Sequence, residues 1–492
     1  MQHVIKKQVI ELQIDKSLDS FHIQQQVSNH YLQQIVPLLQ IQFDTLTNED
    51  EILILEKLEI DIGTVSAEEI NNINIDNLFI KKIVRQTIAQ IIREKIVGEN
   101  ITANTMPANS YRQWFYYMQK GYLQWSFIKP TAKWYTEVLQ QLATDFNSVE
   151  GLRKEITTNK TFVKRIVQEH TATFLSQLVS IITSKNQDNL FETINEISFV
   201  LLKINNSTAT LNKLNEPVEN ILWQNVLQLA VEGNSKTTHD ISKEVFKNHI
   251  IVHKYIIDDE SIKKVNESTL LKPIIKQLQQ EEIFTAKNIV KQQIKKEKEI
   301  SLSEEEINIK KNKKEAAMQV NEQIDEEGIF TSLAGIVLLH PFLSSLFSGL
   351  HLLENKQFIN LQTQEKAIIV LYYLATGHTA AAEHELVIPK ILCGFGVQET
   401  VTKNTFLSDA EMEEADGLLN AVIAQWNILK NTSIVGLRES FLQRNGKVFT
   451  KNNDIHIQIE KSSIDILLDH LPWGLNIIKL PWVNNIIRTE WR

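Results

Sequence analysis

The side chains most able to do chemistry in this chain lie close together: His378, Glu383, His384, Glu385 and Cys393. A zinc protease site on a helix needs two histidines four residues apart, with a glutamate between them. Here the histidines are six residues apart and the local order is Glu-His-Glu. The spacing therefore disfavours a metal site. The preferred interpretation is that His384 and its flanking acids cap the helix that follows.

A cysteine–histidine nucleophile is the second chemical possibility. Cys393, the one cysteine in 492 residues, could pair with His340 or His384. It lies in the apolar run ILCGFG, where a buried thiol is unreactive. The GFG of this run lacks the third glycine of a dinucleotide loop, so it predicts a helix C-cap. We therefore predict no enzyme activity, no cofactor and no metal. A hydrolase that uses His384 and Cys393 is the less favoured alternative.

The bulk composition excludes several classes of protein. With 51 Lys and Arg against 60 Asp and Glu, the net charge is −9, which argues against a general nucleic-acid or anionic-membrane binder. A single cysteine excludes an internal disulfide framework and fits a reducing compartment. The first 15 residues lack the apolar core of a signal peptide, and the longest apolar run, near Ile329–Leu343, is too interrupted to span a bilayer. These features predict a cytoplasmic protein.

The periodicity predicts a mainly α protein with minor β structure (α+β). Residues 1–105 form an N-terminal α/β unit in which period-two segments alternate with helical patterns. In order these are a strand at Ile10–Ile14, a helix at Phe21–Leu39 that Pro37 should kink or shorten, a strand at Leu58–Ile62 and a helix at Ser66–Val97. Two strands make a poor independent sheet, so this unit is expected to need a partner chain or a neighbouring domain.

Successive helical patterns predict a helical region at 106–257. Residues 258–327 shift to Lys, Glu, Gln, Asn and Ile, and Lys291–Glu327 contains no aromatic residue. Such a segment buries little apolar area, which predicts a charged linker that is helical or disordered.

Residues 328–492 form a predicted C-terminal domain that is rich in glycine. Helices are predicted at Leu333–Leu339, Pro341–Gly349, Gln364–Thr376, Glu385–Cys393, Ser408–Leu429 and Val435–Leu442. Ser408 is the expected N-cap of its helix, with acids in the first turn. A hairpin of Lys447–Thr450 with Ile455–Glu460 and an extended segment at Ile477–Trp482 complete the prediction.

Four tryptophans are the candidate partner-docking residues: Trp114, Trp125, Trp473 and Trp482. For the aromatic stretch from Trp114 to Trp125, a corner of the core is the favoured interpretation and docking is the alternative. In the two Leu-Pro-Trp phrases, the fixed backbone of proline precedes a large amphipathic anchor.

Several phrases of the C-terminal domain resemble one known family. Almost continuously over Ile336–Trp482 come LLHPFLSSLF, AIIVLYYLATG, EHELVIPKILCG, AQWNILKNTSIVGLRESFLQRNGKV and LDHLPWGLNIIKLPW. In this order they resemble the tape measure proteins of extracellular contractile injection systems, the phage-tail-like particles that bacteria make. HVIKKQVIELQID and LEKLEIDIG near the N-terminus are similar to the family's opening segments, though less specifically.

The resemblance implies a non-enzymatic protein that occupies the lumen of the inner tube and sets tube length. It implies inner tube and spike or baseplate hub proteins as partners, cargo toxin as a further one, and three or six copies per particle. The protein would be cytoplasmic during assembly and lumenal afterwards. Even as one straight helix the chain would reach only roughly 740 Å, and compact ends would shorten this. An assembly factor and a cargo adaptor or chaperone are therefore the alternatives.

Overall fold

The computed structural model describes most of the chain. The described residues are 5, 8–46, 51–55, 63–64, 66, 78–97, 101–127, 130–205, 216–232, 236–253, 270–280, 324, 328–403 and 406–491. The predicted strand Leu58–Ile62 and most of the predicted linker lie outside them. The chain divides into two compact units, the first of Met1–Arg112 with Trp125–Gln141 and the second of Gln113–Gln124 with Leu142–Arg492. Helices dominate and strands are few, which confirms the predicted fold class.

The first unit contains helices and one antiparallel pair of strands. Its elements are α1 (Ser20–His30), a π turn (Tyr31–Ile35), α2 (Val36–Leu46), β1 (Glu51–Leu55), α3 (Leu78–Val97), β2 (Ile101–Thr105), the start of α4 (Met106–Lys120) and most of α5 (Ala132–Thr144). The predicted strand at Ile10–Ile14 is wrong. These residues form no strand, and Ile10 and Leu12 are exposed. An alternating pattern supplies one apolar face, but it does not supply the neighbouring strand that would pair with it.

Pro37 does not shorten its helix. The five-residue π turn directly before α2 absorbs the disturbance, and the N–H of Val36 donates to the carbonyl of Tyr31. The helical path then continues through Pro37 to Leu46. A π turn is a usual accommodation where the regular i to i−4 ladder is interrupted.

The helical layer of the second unit, which we define as 113–124 and 142–280, consists of short helices around one central helix. They are the end of α4, α6 (Phe146–Thr158), α7 (Lys160–Glu169), α8 (Ala172–Thr183), α9 (Leu190–Asn205), α10 (Val218–Val231), α11 (Thr238–His253) and α12 (Lys272–Gln280). Asp145, Asn159 and Thr171 cap α6, α7 and α8 by accepting bonds from backbone N–H groups. Helix α10 contacts α6, α7, α8, α9 and α11, and it buries most of its apolar side chains.

Helix α12 lies within the predicted charged linker. Its Ile274, Ile275 and Leu278 are buried, and the helix packs on α11. Three apolar side chains spaced along nine residues are enough to fix a short amphipathic helix against a neighbour.

The C-terminal part of the second unit, residues 328–491, contains a five-stranded mixed sheet in the order β3-β6-β7-β9-β8. Its strands are β3 (Ile329–Thr331), β6 (Gly446–Lys451), β7 (Asp454–Ile459), β8 (Ile477–Ile478) and β9 (Ile487–Glu490); a separate hairpin joins β4 (Leu353–Glu354) and β5 (Gln357–Phe358). The predicted β6–β7 hairpin is confirmed. Its turn residues Asn452 and Asn453 have φ of 53° and 67°, the signature of a type I′ turn. The predicted extended segment supplies only β8, and the pattern missed β9.

The helices of this part surround α14, which is buried on nearly every side. They are a 3₁₀ segment (Ala334–Phe342), α13 (Leu343–Gly349), α14 (Leu361–Thr376), a 3₁₀ turn (Glu383–Leu386), α15 (Val387–Leu392), α16 (Asp409–Gln425), a 3₁₀ turn (Asn427–Leu429), α17 (Ile434–Leu437), a π turn (Arg438–Leu442) and a 3₁₀ segment (Ser463–His470). Ser408 caps α16 as predicted, and it also forms a capping box with Glu411. Among the described residues, no helix is long and apolar enough to cross a membrane.

Among the described glycines of this part, Gly335 has the closest backbone neighbour. A Cβ atom placed there would lie 1.7 Å from the carbonyl oxygen of Phe441, in the π turn. The 3₁₀ segment and the π turn therefore approach at a distance that only glycine permits.

We predict opposite effects for two glycine-to-alanine substitutions. Gly335→Ala should lower the free energy of unfolding by more than about 3 kcal/mol, because the backbone carbonyl cannot move away without repacking the core. Gly417→Ala, on the exposed side of α16 with no atom within 4 Å of the new Cβ, should raise it by about 0.5–1 kcal/mol. Urea unfolding followed by circular dichroism measures both values. Equal effects would refute the close approach.

Candidate functional site

In the structure, the thiol of Cys393 is buried and inert. It is fully buried at the end of α15, and burial raises the pKa of its thiol well above the ordinary value. The N–H of Gly394 donates to the carbonyl of Ile391, and that of Phe395 to the carbonyl of Lys390. With Gly394 at φ +66°, this is a Schellman cap, which confirms the predicted role of the GFG sequence. Because a nucleophile must be a thiolate, the geometry gives Cys393 no catalytic use.

The other candidate residues between positions 378 and 393 lie in different environments and do not form one site. Glu385 accepts the N–H of Ala382 at 3.0 Å and the hydroxyl of Tyr372 at 3.0 Å, so it caps the 3₁₀ turn Glu383–Leu386. The same role predicted for Glu383 is wrong, because its carboxylate contacts Lys390 and accepts the N–H of Val401. His378 is exposed, and His384 packs edge-on against Tyr117. Among the described residues, no three His, Cys, Asp or Glu side chains are arranged to hold a metal.

The structure places the four tryptophans of the docking prediction in two kinds of surroundings. Trp114 is fully buried, and Trp482, 8% exposed, donates from Nε1 to the carbonyl of Leu392 at 2.8 Å. Trp473 is half-buried and donates to the carbonyl of Leu338 at 3.0 Å, and Trp125 is half-buried in the first unit. A partner could reach Trp473 and Trp125 without unfolding the core. Docking by these residues stays a prediction.

Glu383 and Lys390 form the centre of a buried cluster of charges. The side chains are 3% and 1% exposed, and the Lys390 ammonium contacts Glu383 Oε1 directly. Lys390 Nζ also donates to the carbonyls of Val397 at 3.1 Å and Glu399 at 2.7 Å. Burial lowers the pKa of Lys390, and the neighbouring Glu383 carboxylate opposes that shift. All three ammonium protons thus have acceptors, which a buried lysine requires.

Arg165 enters this cluster from α7. Its side chain is fully buried, and it donates to the carbonyl of Met118 and to that of Gln398. Burial lowers the pKa of its guanidinium, an effect that the Glu383 carboxylate opposes. Gly121, at φ +82°, leaves the space for the guanidinium, since a Cβ there would lie 2.9 Å from Nη2.

Glu169, at the end of α7, is the second buried carboxylate. Its Oε1 accepts from Lys403 Nζ at 2.9 Å and from the N–H of Glu383 at 3.3 Å, and its Oε2 accepts the Tyr117 hydroxyl at 2.7 Å. Burial acts to raise the pKa of Glu169, but Lys403 and the Tyr117 hydroxyl outweigh it and the pKa is lowered. Glu169 is therefore ionised. We call Arg165, Glu169, Glu383, Lys390 and Lys403 the charge joint.

His170, which follows Glu169 in the sequence, is held as a neutral ring. Its Nδ1 lies 2.7 Å from the carbonyl of Ile166, and its Nε2 accepts the indole N–H of Trp114 at 2.8 Å. Burial lowers the pKa of His170 to about 4. A proton on Nε2 would oppose the Trp114 donor, so the neutral tautomer is the one that fits.

The sequence pattern singled out one member of the charge joint, Glu383, and missed the other four. The spacing of Glu383 and His384 suggested a metal or catalytic site, whereas Lys390, Arg165 and Glu169 lie in ordinary helical patterns. One signal was available: Lys390 lies within the apolar run LVIPKILC, where a lysine is rare unless it is paired.

Comparison with known proteins gives one clear match. A family model described as contractile injection system tape measure protein matches residues 2–491. No curated protein and no solved structure is significantly similar to this chain.

We predict that Lys390→Met destabilises the protein by about 3–5 kcal/mol, because Glu383 is left as an uncompensated buried charge. The double variant Lys390→Met with Glu383→Gln should recover most of this loss, since the amide of glutamine can still accept the N–H of Val401. A double-mutant cycle in urea gives the coupling energy. Additive effects would contradict a direct ion pair.

The buried neutral His170 predicts a loss of stability in acid. The unfolded chain takes up a proton near pH 6.5 but the folded chain only near pH 4, so stability falls as the pH drops below 6.5. Between pH 7 and pH 4 the contribution of this histidine should be about 3 kcal/mol. His170→Gln should remove that part of the pH dependence, whereas His239→Gln, at a ring that contacts Gln277, should leave it intact. Identical pH profiles of all three proteins would refute the assignment.

Proposed function

The chain belongs to the contractile injection system tape measure protein family, and we propose that it occupies the lumen of the inner tube and controls tube length during assembly. The observation that carries the proposal is the extent of the match, which covers residues 2–491. Membership makes the chain a structural component of a phage-tail-like particle that associates with other particle components.

The arrangement of side chains agrees with a structural role. The most reactive residue type, Cys393, is held as a buried thiol, and Glu169, Glu383 and Lys390 are paired with opposite charges or with backbone groups. In the described part of the chain, these contacts leave none of these side chains as an activated group. We infer that the protein works by binding and by length and not by catalysis.

For the partners, we propose the inner tube proteins and the spike or baseplate hub, with three or six copies of this chain in each particle and cargo toxin as a further ligand. The half-buried Trp473 and Trp125 are the docking residues that such partners could reach. Assembly would take place in the cytoplasm before the chain is enclosed in the tube. We further propose the boundaries 1–105, 106–257, 258–327 and 328–492 as its functional segments.

One observation favours a second function, that of an assembly factor. The helical layer and the C-terminal part both bury extensive apolar cores, so neither can be extended without unfolding. A protein that stays compact could start tube assembly, or carry cargo to the tube, without measuring its length.

The two functions differ in how tube length responds to chain length. Residues 281–323 lie in the sequence between α12 and the C-terminal part, so a duplication of this segment adds chain between the two regions. If the chain is a ruler, the 43 added residues, counted from 281 to 323, should lengthen the tube by up to about 65 Å when helical and about 140 Å when extended. Electron microscopy of purified particles measures the change.

The matched control keeps the number of residues in the segment and changes only their order. A scramble of the same segment should leave tube length unchanged, because a ruler depends on how many residues it has and not on their sequence. Tubes of unaltered length with the duplication would contradict the ruler and favour the assembly factor.

A further inference from the structure

The helical layer and the C-terminal part have separate apolar cores. The core of the C-terminal part draws Tyr122 from the helical layer, with Tyr116 packed at its edge. Of the described residues, no buried apolar side chain of α6 to α12 belongs to that core. The helical layer instead surrounds α10. The two bodies therefore touch with little shared apolar surface.

The contacts that join these two bodies are mainly polar. Arg165 donates to the carbonyl of Gln398, and Glu169 accepts from both Lys403 and the N–H of Glu383. The ring of His384 lies against the hydroxyl of Tyr117, with Nδ1 at 3.4 Å. Each of these contacts links residues more than 200 positions apart in the chain, so none is imposed by local structure.

A joint made of charges behaves differently from one made of apolar side chains. Apolar surface resists exposure in proportion to its area. Buried ions contribute little net stability, because they lose hydration when they pair and regain it when they separate. They nevertheless select one geometry, since any shifted arrangement leaves a buried charge without its partner. Such a joint can open as a unit while both cores stay folded.

We propose that the charge joint is a release point, at which the folded helical layer separates from the folded C-terminal part when the chain is built into the particle. This inference rests on the proposed lumenal function, because a chain enclosed in a tube has to become longer than its compact form. Opening there gains length and withdraws from the C-terminal core only Tyr122, with Tyr116 at its edge. It also frees Tyr116, Tyr122 and the joint's charges to bind particle components.

The first test uses the purified chain and needs no particle. The amide of Glu383 is bonded across the joint to Glu169, whereas the amide of Val401 is bonded within the C-terminal part to Glu383. Hydrogen exchange resolved to single residues should show the Glu383 amide opening with a smaller urea dependence than the amides of α10 and α14. In Glu169→Gln its exchange should rise by about tenfold or more, because a charge-assisted bond is lost. The Val401 amide should change by less than twofold.

The control is Glu150→Gln, which removes a carboxylate that pairs with Arg153 at 4.0 Å on the same layer with a half-exposed side chain. It should leave exchange at Glu383 unaltered. Joint and core amides that exchange with one common urea dependence would overturn the proposal, because the two bodies would then be a single cooperative unit. So would a Glu383 amide that does not respond to Glu169→Gln.

The second test asks whether the joint opens in the particle. A carbodiimide couples a lysine to a carboxylate in contact with it, so the free chain should give a Lys403–Glu169 link. The pair Lys366–Glu411, which lies within the C-terminal part, is the control and should couple in both states. Loss of the first link in assembled particles, with the second kept, supports release. Persistence of the first link in particles, or its absence in the free chain, overturns it.

These results are independent of the length test. If the joint stays closed in particles whose tubes lengthen with the duplicated segment, the release proposal fails and the ruler stands. If the joint opens but length does not follow the duplication, release stands as a step of an assembly factor and the ruler fails.

Discussion

The packing of the second unit depends on how one buried ammonium group, that of Lys390, is paired. Lys390 lies in α15 among apolar side chains with 1% of its side chain exposed. An isolated charge at such a place would cost many kcal/mol, so the carboxylate of Glu383 and two backbone carbonyls must be close to it. Their positions fix the segment 397–403, and that segment presents Gln398 and Lys403 to the helical layer. The orientation of the layer thus follows from satisfying a single buried charge.

Burial acts in opposite directions on the pKa values of the neighbouring Glu169 and His170, yet both values are lowered. The pKa of Glu169 is lowered even though burial opposes this, because Lys403 and the Tyr117 hydroxyl favour the carboxylate. The adjacent His170 has its pKa lowered by burial, and its ring stays neutral between Trp114 and the carbonyl of Ile166. An anion and a neutral ring next to each other make the end of α7 the polar face of an otherwise apolar layer.

Elements with strong local signals were predictable from the sequence, and elements that depend on distant partners were not. The cap at Ser408, the Schellman turn at Gly394 and the β6–β7 hairpin are specified by a few adjacent residues. The strand predicted at Ile10–Ile14 failed and β9 was missed, because pairing depends on a neighbour that the segment itself does not encode. The contacts that cross the charge joint were missed for the same reason, because they bring together residues more than 200 positions apart. The negative result for Cys393 could be predicted, because its apolar neighbours alone imply burial.

The strand order of the C-terminal sheet has a consequence for biosynthesis. Strand β9, the last in the described chain, lies between β7 and β8 and pairs with both. On the ribosome, β3, β6 and β7 emerge first, and one edge of β7 stays open until residues 487–490 have been made. At ordinary translation speeds of 5–20 residues per second, the interval from the end of β7 to the end of β9 is roughly 2–6 s. The nascent domain thus exposes an unpaired strand edge for that time, and an exposed edge can pair with another chain. Nascent chains on one polysome lie close together, so a chaperone that covers this edge would prevent pairing between copies.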